Sequence, residues 1–65
     1  MVEKEVINIA FRESVTSDSK DRMFYTGKFL GIIDLAEAAG IIEMSEYDFL
    51  LKAHDFALYG RTFGY

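Results

Sequence analysis

Sixty-five residues, 51% of them apolar, make one small domain near the lower size limit for a single hydrophobic core. The chain has no cysteine and one histidine, which excludes a disulfide framework, a thiolate metal centre and a zinc site built by His54 alone. Eleven acids against seven bases give a net charge of −4, and the excess lies in residues 31–65, where six acids stand against Lys52 and Arg61; such a surface repels phosphate backbones.

"MVEKEV" is charged with both signs and leads into no signal-type apolar core, and no run approaches the roughly 18 apolar residues of a membrane span. These features predict a soluble, cytoplasmic protein without a membrane partner. In "EVINIAFR", residues 5–12, Ile7, Ile9 and Phe11 alternate with Val6, Asn8, Ala10 and Arg12, a period of two that predicts a strand. A helix is the alternative, because Val2, Val6, Ile9 and Ala10 also fit helical spacing. "SVTSDSKDR", 14–22, reads as an exposed loop whose Ser, Thr and Asp side chains compete for backbone hydrogen bonds. "MFYT", 23–26, reads as a returning strand, so residues 1–26 are expected to form a β-hairpin.

The remainder predicts a helical hairpin over 27–60, with helices at about 27–39 and 46–59. Thr26 is the expected cap of the first, and Gly40 its left-handed terminator. Ser45 with Asp48 resembles a capping box, flanked by Met44 and Phe49 at the staple positions, and Gly60 closes the second helix. Residues 61–65 form an aromatic tail in which Phe63 and Tyr65 either fold back on the body or anchor in a partner. The expected fold is α+β: an N-terminal β-hairpin packed on a C-terminal antiparallel helical hairpin, in one domain. The runner-up is an all-α three-helix bundle.

Both helices are apolar over more of their circumference than one neighbour covers. At about 100° per residue, roughly 220° of the second helix is apolar, about twice the usual stripe. Phe49, Ala53 and Phe56 lie on one flank and Tyr47, Leu50, Leu51, His54 and Leu58 on the other. In the first, Leu30 falls between Asp34 and Glu37, and Gly31, Leu35 and Ala38 form a flank suited to close approach by a neighbouring helix. Either the compact monomer satisfies all these faces, or part of them meets another protein chain.

Little catalytic equipment is legible. His54 stands on an apolar helical flank with no carboxylate partner fixed by spacing, so a packed core histidine is the simpler reading. Asp34/Glu37 and Glu43/Glu46 are ordinary i, i+3 acids on a solvated face. "TGKF", 26–29, lacks the upstream glycine and following hydroxyl of a phosphate loop. A helix-turn-helix reader would open its recognition helix with Glu46 and Asp48, the wrong charge for DNA.

"AGIIEMSEYDFLLKA", 39–53, is similar to the short C-terminal helical hairpin called SHOCT, with its glycine-apolar turn, capping residue, acids and apolar helix; the resemblance spans about residues 30–58. It implies association between protein chains. The expected function is therefore a non-catalytic protein-binding module, acting stoichiometrically and without cofactor, metal or direct nucleic-acid contact. The candidate binding residues are Leu30, Tyr47, Leu51, His54, Leu58, Phe63 and Tyr65, with an acidic surface of Asp34, Glu37, Glu43, Glu46, Asp48 and Asp55. A sharper version is an inhibitor that fills the basic cleft of a larger nucleic-acid-handling protein, as small phage- or mobile-element-encoded inhibitors do. The alternative is a homo-oligomerising structural or scaffold protein.

Overall fold

The computed structural model describes residues 3–60, and three helices account for most of them: α1 (Lys4–Thr16), α2 (Arg22–Ala38) and α3 (Met44–Tyr59). No strand occurs among the described residues, so the expected β-hairpin over 1–26 is replaced by α1 and the first turn of α2, and the three-helix alternative is the arrangement found. The reason lies in what packs. Ile7, Ala10 and Ser14 recur at helical spacing and are buried with Phe11 partly covered beside them, whereas Ile9, the middle member of the strand-like alternation, and Val6 are exposed.

Of the polar run read as a loop over 14–22, Ser14 to Thr16 finish α1, residues 17–21 form the turn into α2, and Arg22 opens α2. The Thr16 hydroxyl donates back to the Arg12 carbonyl at 2.7 Å, and the Ser17 hydroxyl donates to the Ser14 carbonyl of the last turn at 2.7 Å. An Arg22 guanidinium nitrogen donates to the Ser17 carbonyl at 2.9 Å and ties the start of α2 to the same turn. Thr26, expected as a cap, is thus in the second turn of α2, which opens earlier at Arg22.

Gly40 closes α2 with φ of 77°. The Ile41 amide donates to the Ala36 carbonyl at 2.9 Å and the Gly40 amide to the Glu37 carbonyl at 3.1 Å, the paired bonds of a Schellman motif. The motif turns the chain so that Ile42 is buried in the core. The capping box expected at Ser45 and Asp48 does not form. Glu43 stands at the cap position in extended geometry, without a side-chain bond, and Met44 and Phe49 are both largely exposed. Gly60, with φ of 71°, ends α3 as expected.

The core consists of Ile7 and Ala10 from α1, Phe29, Ile33 and Ala36 from α2, and Ile42 from the connection. Phe29, Ile33 and Ala36 are completely enclosed, so α2 is the central element. α1 packs along α2 far more extensively than either helix packs on α3. No apolar side chain of α3 is fully buried; Tyr47, Leu50 and Leu51 lie partly covered against the core, and its one buried residue is His54. The Cα envelope measures 31 × 26 × 15 Å, about two helices deep in its thinnest direction. Among the described residues no third layer covers the outer faces of α2 and α3.

That thinness leaves the Gly31, Leu35, Ala38 flank uncovered. A methyl group added at Gly27 or Gly31 would meet no atom within 4 Å, and Leu35 is 61% exposed. Among the described residues no neighbouring helix makes use of either glycine.

Candidate protein-binding groove

Three hydroxyl and imidazole groups join the three helices. Ser14 Oγ of α1 lies 2.6 Å from Nε2 of His54 in α3 and 3.1 Å from Oγ1 of Thr26 in α2. Ser14 is completely buried and His54 nearly so. The imidazole stacks on Phe29, with ring centroids 4.7 Å apart and planes 12° from parallel, and meets the edge of Phe11 at 5.7 Å. Burial lowers the His54 pKa from its ordinary 6.5, while the nearby Asp55 carboxylate pulls the other way. The ring is therefore neutral near pH 7.

A serine within hydrogen-bond reach of a histidine has the separation of a nucleophile and its base. Here the Ser14 hydroxyl has no exposed surface, so a substrate carbonyl has no approach to it. The chemistry of the cluster is structural: a bonded pair of buried polar groups that sets how α3 sits on α1.

His54 also forms part of the floor of an open groove of about 240 Å³ between α2 and α3, lined by Thr26, Leu30, Leu51, Asp55, Leu58 and Tyr59. Leu51, Asp55 and Leu58 recur at intervals of four and three on α3, so they share one side of the helix. Four of the candidate residues named from the sequence, Leu30, Leu51, His54 and Leu58, are thus brought together in one concavity. Tyr47 lies closer to the connection, where its hydroxyl donates to Asp34 Oδ1 at 2.5 Å. That hydrogen bond, then desolvation and the Asp34, Glu37 and Asp48 charges, raises the phenol pKa above 10.0. Phe63 and Tyr65 lie outside the described residues.

The acidic surface divides. Glu43 is exposed at the start of α3, and Glu46 reaches α1 through an ion pair with Lys4 at 3.6 Å. Asp34, Glu37, Asp48 and Asp55 follow the seam between α2 and α3. Sequence reasoning missed Thr26, Tyr59 and Ser14 as neighbours of this site. The available signal was Ser14 itself, a polar residue seven positions after Ile7 on the same helical stripe, which requires a buried partner.

Comparison with known proteins finds no matching family model, no matching curated protein and no matching solved structure. Among the described residues no helix is long and apolar enough to cross a membrane.

Proposed function

We propose that this chain is a non-catalytic protein-binding module that acts stoichiometrically, docking a segment of a larger protein between α2 and α3. The observation that carries this reading is the convergence of Leu30, Leu51, His54 and Leu58 on one open, mainly apolar groove flanked by carboxylates. Apolar floors with polar rims are the usual anatomy of a protein interface. The acidic seam also suits the inhibitor version, in which the module occupies a basic cleft. Replacing Leu51 and Leu58 together by serine tests the groove: partner capture from lysates of the native host is expected to disappear while helical circular dichroism is retained. Capture unchanged in the folded variant overturns the assignment. For the inhibitor version, affinity is expected to fall steeply as salt rises from about 50 to 500 mM, and binding indifferent to salt argues against it.

A second reading, homo-oligomerisation, is favoured by the outer face of α2. Phe24 and Leu35 are 68% and 61% exposed there, and Gly27, Gly31 and Ala38 lie exposed on the same side. The similarity of 39–53 to the SHOCT hairpin supports association of the same kind. Light scattering over a hundredfold concentration range separates the readings: a constant monomer mass is expected for the docking module, and a rising mass for self-assembly.

Gly27→Ala with Gly31→Ala sharpens that comparison. Both positions are exposed and helical with free space around them, so the double variant is expected to gain about 1–2 kcal/mol in urea unfolding. If α2 pairs with a second copy, the added methyl groups hold the helices apart and the oligomer weakens despite the gain in fold stability.

A further inference from the structure

Charge along the α2–α3 seam is one-sided. Asp34, Glu37 and Asp48 gather around the Tyr47 phenol at one end, and Asp55 stands beside His54 in the groove wall at the other. Lys52 is the only lysine or arginine within residues 31–60, and it pairs with Asp48 at 3.8 Å. Lys28 pairs with Glu13 of α1 at 3.3 Å, and Lys4 with Glu46. Among the described residues, Asp34, Glu37 and Asp55 have no ion-pair partner. Carboxylates without a counter-charge attract an arriving cation.

Leu30 and Leu51 lie between these acids and Leu58 one turn beyond Asp55, lining a space that holds one or two large apolar side chains. Asp48 and Asp55 are seven residues apart on α3, so the acidic ends of the seam are separated by about 10 Å, two helical turns. Two adjacent helices present ridges into which a third helix packs. An added strand would need a sheet edge, and the described residues contain no strand.

We propose that the α2–α3 groove docks a basic amphipathic helix of the partner protein. One or two of its large apolar side chains seat on Leu30, Leu51 and Leu58. Lys or Arg residues about two turns apart on that helix reach Asp55 within the groove, and Asp34 and Glu37 toward the α2–α3 connection. This inference rests on the protein-binding reading and names the partner's chemistry.

The test uses two synthetic helical peptides of about 15 residues with identical leucine positions, one carrying lysine and the other glutamate at every polar position. Each is titrated into the ¹⁵N-labelled full chain. The lysine peptide is expected to shift the amide signals of Leu30, Leu51, Asp55, Leu58 and Tyr59 to saturation, and the glutamate peptide is not. Asp55→Asn, and separately Asp34→Asn with Glu37→Gln, should each weaken lysine-peptide binding by up to about fivefold, the ordinary reach of exposed charge pairs. These substitutions preserve shape, and dispersed amide spectra of the variants verify the fold. Equal binding of the two peptides, or lysine-peptide affinity unchanged in both variants, overturns the basic-helix inference and leaves protein docking standing. If neither peptide moves the groove signals, the docking reading of the groove falls with it.

Discussion

Replacing Phe29 by alanine is expected to destabilise the protein by about 3–5 kcal/mol, enough to remove most of the folded population at room temperature. Domains hold roughly 0.05–0.15 kcal/mol of stability per residue, so a chain of this length has roughly 3–10 kcal/mol in total. Phe29 has no exposed surface and stands where the three helices meet. Phe11 of α1 meets it edge-on, with centroids 5.5 Å apart and planes at 81°, and His54 of α3 stacks on its face. Alanine would leave a cavity beneath the imidazole and detach α3 from its central support. Phe29→Leu keeps most of the buried apolar volume and is expected to cost about 1–1.5 kcal/mol. Urea unfolding followed by circular dichroism measures both. A Phe29→Ala variant as stable as the parent would place the core elsewhere.

Acid should weaken the fold through His54. In the unfolded chain this imidazole titrates near its ordinary 6.5, and in the folded protein it titrates lower because burial penalises the cation. Above about pH 6.5 the ring is neutral in both states and the stability is undiminished. As the pH falls below that value, the unfolded chain binds a proton that the folded chain resists, so stability declines until the pH passes the folded value. Asp55 opposes the shift, and Asp55→Asn should deepen the loss. Removing the hydroxyl alone by Ser14→Ala leaves His54 Nε2 without its 2.6 Å partner and is expected to cost about 1–3 kcal/mol at neutral pH. Ser14→Ala with His54→Leu replaces both polar groups by apolar ones, so it should cost less than the single change and abolish this acid step. Urea midpoints between about pH 7 and 5 give the answer. A midpoint independent of pH in that range would mean that His54 is solvated.

His54 links stability to function by its position. It is the one buried residue that α3 contributes, and it forms part of the floor of the groove between α2 and α3. Acidification that weakens its bond to Ser14 should therefore loosen the wall made by Leu51, Asp55 and Leu58 before α1 and α2 separate. The extensive α1–α2 packing, with Ile7, Ala10, Phe29, Ile33 and Ala36 enclosed, does not depend on a titrating group.

The sequence by itself determined the second half of the fold. Gly40 and Gly60 terminate helices because a left-handed backbone suits glycine, and the helical spacing of apolar residues from Phe29 to Leu58 is long enough to outweigh any competing period. The shared face of Leu51, His54 and Leu58 was legible for the same reason, since residues three and four apart on one helix lie on one side; Leu30, read as a separate spot, joins them only through the packing of α2 on α3.

Only the tertiary structure decided the first half. Ile7, Ile9 and Phe11 satisfy a period of two, while Ile7, Ala10 and Ser14 satisfy a helical one, and local preference does not choose between them over so short a segment. The choice falls to packing: as a helix, α1 delivers Ile7 and Ala10 to the α2 core and Ser14 to His54 forty positions away, a partner that no local pattern announces. Packing likewise settled which flank of α2 goes inside. Both flanks are apolar, and the one with Phe29, Ile33 and Ala36 supplies a large ring and a branched chain to fill the centre, whereas on the other side Gly27, Gly31 and Ala38 separate Phe24 from Leu35 and leave gaps.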